Sequence, residues 1–237
     1  MKTIILGDTH GRSFWKLISE TEKWDKFIFI GDYFDSYNEF TAVEQLKNFD
    51  EICEFKRKNK DKVIMLTGNH EYHYLKGAPM GEMYSGYQHG AAPNIQFALE
   101  DAIKEGLLQM CHIEGEYCFT HAGVTKTWCK DNEVDVKNLE QSINDLFKYK
   151  PESFRFNGRD GYGDDITQSP IWVRPQSLYN DGLKEYTHVV GHTGVPRINL
   201  PKGERSGMIL IDALEKSREY LIINDGVPEV GKIDQKS

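Results

Sequence analysis

The run Thr3-Ile4-Ile5-Leu6-Gly7-Asp8-Thr9-His10-Gly11 sets a short apolar stretch of strand character against a glycine and a cluster of polar side chains. The same punctuation recurs along the chain. Residues 27–30 lead into Gly31-Asp32, and Val63–Leu66 leads into Thr67-Gly68-Asn69-His70. Residues 117–120 lead into His121-Ala122-Gly123, and 188–190 into Gly191-His192. Each run is rich in β-branched or aromatic residues, of strand length, and closed by glycine or a polar turn, which predicts a set of buried strands.

Helical patterns lie between these runs. Residues 14–23 follow an expected N-cap at Ser13, and Ala42–Lys58 follows Thr41, whose Thr41-Ala42-Val43-Glu44 reads as a capping box. Residues 94–105 and 139–148 are also read as helices. Residues 208–211 and 219–223 are expected to be two closing strands, in a hairpin or as an adjacent pair. Strands alternating with helices predict an α/β architecture with a more β-rich C-terminal part. No repeat or composition break divides the chain, so 1–237 is expected to form one domain. Two stretches rich in glycine, proline and aromatics, 77–93 and 151–170, read as loops long enough to carry function.

The 237 residues are 39% hydrophobic and 28% charged, a globular balance that excludes a disordered or collagen-like chain. The longest apolar runs hold four residues. A membrane span needs ~20 and a signal peptide ~7–15, so a soluble cytoplasmic protein with no membrane partner is expected. Basic residues number 29 against 37 acids, for a net charge of −8 with no long basic stripe, which argues against general nucleic-acid binding. Cys53, Cys111, Cys118 and Cys129 lack any CxxC spacing and read as reduced structural thiols.

In an open α/β sheet the carboxyl ends of the strands line the crevice where ligands bind. Asp8, His10, Asp32, Asn69, His70, His121 and His192 are therefore expected to converge at one edge. Mixed carboxylate, amide and imidazole donors suit borderline divalent metals such as Mn, Fe, Zn, Co or Ni. One carboxylate among several histidines is also a natural bridge between two ions.

Gly7-Asp8-Thr9-His10-Gly11, Gly31-Asp32-Tyr33-Phe34-Asp35 and Gly68-Asn69-His70-Glu71 resemble, in order, the GDxHG, GDxxD and GNHE motifs of the calcineurin-like metallophosphoesterases. His121-Ala122-Gly123 and Gly191-His192-Thr193 fall where that superfamily's later histidine motifs are expected. The resemblance covers roughly residues 3 to 212, with 213–237 left as a C-terminal strand and tail. It implies a sandwich of two mixed β-sheets flanked by helices, and metal-dependent phosphoester hydrolysis. Position by position, it implies that Asp8 and His10 hold a first metal and that Asp32 bridges to a second. Asn69, His121 and His192 complete the second site. It also implies two divalent ions, manganese first among them, that supply hydroxide to phosphorus. His70 would be the imidazolium that protonates the departing oxygen, and Asp35 the carboxylate that orients it.

Variants within the motifs point to a branch. Gly191-His192-Thr193-Gly194 lacks the second histidine of a Gly-His-x-His ending, which is similar to the phosphoprotein phosphatase branch. That branch includes lambda-type bacteriophage phosphatases and bacterial symmetrical diadenosine tetraphosphatases. Trp172-Val173-Arg174 resembles the lambda-type Trp-x-Arg, which implies that Arg174, with Asn69, contacts substrate phosphate. His121-Ala122-Gly123-Val124-Thr125 with Trp128 looks more like the tetraphosphatases, and Ile211-Asp212 resembles the Ile-Asp of both. The branch usually carries GDxxDRG, whereas Ser36-Tyr37 follows Asp35 here. A hydroxyl does not replace a two-pronged guanidinium. Arg174 is therefore expected to hold phosphate alone, or with Arg155 or Arg159.

The leading expectation is a phosphomonoesterase acting on phosphorylated substrates, including Ser/Thr phosphoproteins. Symmetrical dinucleoside polyphosphate hydrolysis and nucleotide phosphodiester cleavage are the alternatives, and a metal-binding regulatory module is the non-enzyme one. Tyr84 and Tyr87 are candidates for stacking on a nucleobase. His73, His89, His112 and His188 lie outside the motifs and are read as surface or satisfied core histidines. Asp160, Asp164 and Asp165 lack calcium-loop spacing and are read as turn residues.

Overall fold

The computed structural model describes residues 1–37, 39–76, 78, 84–158, 162–200 and 207–233. Strands β1 (Lys2–Leu6), β2 (Lys26–Phe29), β3 (Val63–Leu66) and β4 (Leu108–Gln109) run parallel, with Ile5 opposite Ile28 and Ile28 opposite Ile64. A second sheet holds β5 (His112–Glu114), β6 (Tyr117–Phe119), β7 (Thr187–Val190) and β8 (Met208–Leu210), parallel from β6 to β8, with β5 antiparallel at the edge. Strands β9 (Glu219–Asn224) and β10 (Val227–Lys232) return to the first sheet antiparallel, giving it the order β10-β9-β1-β2-β3-β4.

Alternation along β1 explains the layering, since successive side chains of a strand face opposite ways. Ile5 joins Ile28, Leu66, Phe119, Val189 and Ile209 in a core between the two sheets. Ile4 and Leu6 join Phe27 and Phe29 against α1 (Phe14–Thr21) and α2 (Ala42–Lys58), which contribute Trp15, Ile18, Phe49 and Ile52. Each such side chain, fully buried, contributes about 1.5–3 kcal/mol. The Thr41–Glu44 capping box forms as read, and α2 ends at the basic Lys56-Arg57-Lys58 run. Ser13 precedes α1 but makes no side-chain capping bond. The remaining helices are α3 (Asn69–Tyr72), α4 (Ala92–Lys104), α5 (Lys126–Asp131), α6 (Leu139–Tyr149), α7 (Pro175–Asp181) and α8 (Leu214–Ser217).

Two expectations fail. The strands near 208 and 219 neither form a hairpin nor lie side by side. β8 pairs with β7 in the second sheet, and α8 carries the chain across to β1 of the first. The closing hairpin is β9–β10, turned by Asp225-Gly226 at φ +48° and +83°. That Asp-Gly pair is the residue choice such a two-residue turn requires. The stretch 151–170 is also not wholly loop. It begins with a 3-10 turn at Pro151–Phe154, and Phe154, Gln168 and Ser169 are buried. All four cysteines are buried thiols. Among the described residues no helix is long and apolar enough to cross a membrane.

Candidate metal centre

Backbone bonds tie the strand-end turns to one another. The amides of Thr9 and His10 donate to the Asp32 carbonyl at 3.0 and 2.8 Å, and Gly11 donates to Tyr33. Buried Glu71 then accepts from the amides of Asp32, Tyr33 and Gly68 at 2.7–2.9 Å, locking the second turn to the third. The His192 amide donates to the Asp8 carboxylate at 3.0 Å, joining the last turn to the first. Packing is so close that a Cβ on Gly68 would sit 2.1 Å from Asp32 Oδ1, and one on Gly191 2.0 Å from Asp8 Oδ1. His10, Asp32, Asp35 and His192 all adopt positive φ, between 44° and 63°. Non-glycine residues hold that conformation only where surrounding structure fixes it, and such outliers cluster at functional sites.

The side chains converge as the sequence predicts. Asp8, Asp32 and His121 offer donor atoms within 4.8 Å of one another, and so do His10, Asp32 and His70, with Asp32 common to both groups. Each outer histidine is oriented by a carbonyl: His10 Nδ1 donates to Phe34 at 2.6 Å, His121 Nδ1 to Ile30 at 3.0 Å, and His192 Nε2 to Trp172 at 3.1 Å. The other ring nitrogens face inward. His121 Nε2 lies 2.9 Å from Asn69 Oδ1 and 3.3 Å from Asp32 Oδ2, and His192 Nδ1 lies 2.8 Å from Asn69 Oδ1. With the outer nitrogens engaged by carbonyls, the inner nitrogens of His121 and His192 converge with the Asp32 and Asn69 oxygens. Fixing the outer nitrogen is how proteins prepare histidine ligands, and carboxylate, amide and imidazole donors gathered this closely suit borderline divalent ions. The residues present therefore fit divalent metal.

Charge supports the same conclusion. Burial, Asp212 and Asp32 together push the Asp8 carboxyl well above the usual carboxylate range. Burial and Asp32 raise Asp212 to about 6. Asp32 stays well below the usual range despite burial, because His121 and His70 stabilise its charge. Burial, His121 and Arg174 hold His192 well below the usual histidine value, so it is a neutral donor.

His70 stands beside this cluster with Nδ1 2.8 Å from Asp35 Oδ2. Tyr74 Oη and Gln88 Nε2 donate to Asp35 Oδ1 at 2.5 and 2.9 Å, so both carboxylate oxygens are engaged. Burial opposes a charged His70, but Asp32 and the bonded Asp35 outweigh it and raise His70 to about 9.

A cavity of about 700 Å³ opens over these residues. Arg174 lines it, held by donating Nε to the Tyr162 carbonyl at 2.9 Å and NH1 to the His192 carbonyl at 2.9 Å. Arg155 is exposed and does not line the cavity, which removes it as a second clamp, and Arg159 lies outside the described residues. Arg12, which nothing in the sequence singled out, lines the cavity at 5% exposure beside Ser36. It donates to Glu39 and lies 3.6 Å from Glu215.

Tyr84 lines the cavity as supposed, but Tyr87 does not. Tyr87 stacks on Tyr74 at 4.6 Å and borders an adjoining depression that shares Ser36, Tyr37 and Tyr84 with the cavity. His73 departs furthest from the reading of a satisfied histidine. It is 4% exposed, it lines the cavity, and among the described residues neither ring nitrogen has a hydrogen-bond partner. An unsatisfied buried polar atom costs about 1–3 kcal/mol. His188 Nε2 donates to the Leu183 carbonyl at 3.2 Å. His112 pairs with Glu140 at 3.1 Å, and His89 is exposed. Asp164 and Asp165 accept from the amides of Ser177 and Thr167, as turn residues do, and Asp160 lies outside the described residues.

The family model described as calcineurin-like phosphoesterase matches residues 1–219. Over its whole length the chain aligns with a serine/threonine phosphatase from Saccharomyces cerevisiae with similarity to human phosphatase PP5. The TM-score is 0.57 at 14% identity, covering 81% of that chain. A metallophosphoesterase from Sphaerobacter thermophilus aligns with TM-score 0.53 at 13% identity, again over all of this chain and 89% of the other. Identities this low show the shared two-sheet fold. No match is found among curated proteins.

Proposed function

The chain belongs to the calcineurin-like phosphoesterase family, a metal-dependent group of phosphoester hydrolases, and on that premise we propose that it is a phosphomonoesterase with a two-ion centre. Asp8, His10 and Asp32 would hold one ion, and Asp32, Asn69, His121 and His192 would hold the other. The observation that carries this reading is the position of Asp32, whose carboxylate belongs at once to the Asp8–His121 group and to the His10–His70 group.

When bound, the ions supply hydroxide near neutral pH and offset the phosphoryl charge. The chain's own residues do the rest. Arg174, its guanidinium fixed by two carbonyls, and the Asn69 amide orient the phosphoryl oxygens. His70 donates from Nε2 to the departing oxygen, since Nδ1 is engaged by Asp35. With the Asp32 charge shared among cations, the Asp35 bond is what keeps the imidazole protonated. Positioned proton donation of this kind contributes roughly 10²–10⁴-fold. Glu71 carries no proton in this scheme and serves to hold the turns at Asp32 and Gly68 in register.

Calorimetric titration of the metal-free protein with manganese, paired with phosphate release from p-nitrophenyl phosphate, tests the reading. Two ions per chain and activity that rises with the second are expected. One ion per chain with full activity would rule out the shared carboxylate.

A further inference from the structure

Tyr37 stands where neither the backbone nor the core accounts for a tyrosine. Its φ is +52°, in the left-handed region that a bulky side chain enters only at a cost in free energy and that a glycine enters freely. Burial does not offset that cost, since 57% of the residue is exposed. Gly86, itself at φ +84°, backs the ring, and a Cβ there would lie 3.3 Å from Tyr37 Cε1 and Cζ. The phenolic oxygen is paired with the Ser85 hydroxyl, so it is the ring surface, more than the polar tip, that is offered to the cavity.

The ring lies beside the chemistry. Tyr37 is 6.2 Å from the His10 ring and 6.1 Å from the His70 ring, and those two rings are 5.1 Å apart. Tyr37 lines the cavity over the metal centre and also the adjoining depression, which continues to Gln88 and His89. His70 faces the departing oxygen in the reading above, on which this inference rests. A hydrogen bond places that oxygen about 3 Å from His70 Nε2, so the group it carries comes within contact range of Tyr37.

We propose that Tyr37 is a specificity residue whose ring stacks on the leaving group, and that this group is a planar aromatic alcohol, making the substrate an aryl phosphomonoester of the phosphotyrosine type. An ammonium group is the other natural partner of an exposed tyrosine face. It is disfavoured here, because the imidazolium of His70 and a centre for divalent cations stand beside the ring. An alkyl group covers less of a flat surface than another ring does, and it gains none of the ring–ring attraction.

Phenylphosphonate and ethylphosphonate share one anionic group, differ in the part that would meet Tyr37, and resist hydrolysis. Their inhibition of p-nitrophenyl phosphate turnover by manganese-loaded protein therefore reads binding apart from leaving-group reactivity. The wild type is expected to bind phenylphosphonate about three- to tenfold more tightly, the range for one aromatic contact. Tyr37→Phe should keep that preference. Tyr37→Gly should bring the two within about twofold of each other by weakening phenylphosphonate, with no fall in thermal midpoint, because glycine relieves the left-handed turn. Equal inhibition of the wild type by the pair, or a preference that survives Tyr37→Gly, overturns the proposal. Equal weakening of both phosphonates in that variant also overturns it, since Tyr37 would then only prop the turn. If Tyr37→Gly fails to fold, Tyr37→Asn, which also tolerates this backbone region, takes its place in the same comparison. Each of these results leaves the phosphomonoesterase reading standing. No turnover of p-nitrophenyl phosphate by the wild type defeats that reading, and this inference with it.

Discussion

At the strand ends His10, His121 and His192 each give one ring nitrogen to a backbone carbonyl and turn the other inward, whereas in the adjoining wall His73 gives neither nitrogen to anything among the described residues. The first region is built for something every catalytic cycle shares. Its orientation is set by amides and carbonyls and held in positive-φ turns, and its inward nitrogens and oxygens converge on one another. The second region is held by ring stacking, and both His73 nitrogens are sealed from solvent. The cavity thus joins a floor fixed by backbone turns to a wall fixed by ring stacking.

The sharpest way to break this division is Asp32→Asn. An amide brings one neutral oxygen in place of a shared carboxylate, so the two donor groups no longer meet on a charge. The variant should lose at least about 10³-fold in kcat, some 4 kcal/mol of transition-state stabilisation, and bind one manganese instead of two. Turnover near that of the wild type would leave the two-ion assignment without its centre. His70→Asn comes next. It should slow alkyl phosphoesters by roughly 10²–10⁴-fold while sparing activated aryl esters, whose leaving groups need no proton. Equal losses on both would mean that His70 only positions its neighbours.

These strand-end residues were legible in the sequence because each motif is local. An apolar run, a glycine and a donor fall within a few residues, and the capping box that starts α2 is equally local. The crossing of β8 and β9 into different sheets was not legible, since both are short apolar runs and nothing local says which partner strand each takes. The same holds for Arg12. Its carboxylate partners Glu39 and Glu215 come from a turn beyond Asp35 and from α8, and only the fold brings them to one place. His73 sits two residues past Gly68-Asn69-His70-Glu71 and reads like any other histidine, although among the described residues neither of its ring nitrogens has a hydrogen-bond partner.

Arg174 joins the two regions, since it is anchored on His192 and lines the same cavity as Tyr84 and Trp172. Arg174→Ala should raise KM by about 10–100-fold for any phosphomonoester, the range expected for losing a charge-assisted contact. Arg174→Lys should recover only part of this, because an ammonium lacks the planar fork. An unchanged KM would shift the phosphate clamp to Arg12.

Asp212 tests the strand-end charge without catalysis. Its carboxyl is raised to about 6, by burial first and then by Asp32, so the folded chain binds this proton more tightly than the unfolded one does. The ionised form therefore lowers stability above pH 6, and the penalty fades as pH falls through 6 toward 4. In metal-free protein Asp212→Asn should gain about 2–3 kcal/mol at pH 7.5 and nothing at pH 4, read from urea unfolding. Saturating manganese should remove the gain, because the cations then offset the charge. A gain independent of pH would show that packing, not charge, sets it.

The smallest effect separates two tyrosines that look equivalent in sequence. Tyr84 lines the cavity against His73, whereas the Tyr87 ring lies on Tyr74, whose hydroxyl holds Asp35. Tyr87 meets Tyr74, which in turn meets Asp35, and the Gln88 side chain donates to the same Asp35 oxygen. Tyr87→Ala should therefore change nucleotide kcat/KM by less than about threefold while costing roughly 1–3 kcal/mol of stability from the lost stack and contacts. Tyr84→Ala should do the reverse, with a larger kinetic loss for nucleotides than for p-nitrophenyl phosphate and a smaller loss of stability. Steady-state kinetics and thermal unfolding of the two variants side by side decide the matter. If Tyr87→Ala carries the larger kinetic loss, the wall that meets the substrate lies on the other side of Tyr74.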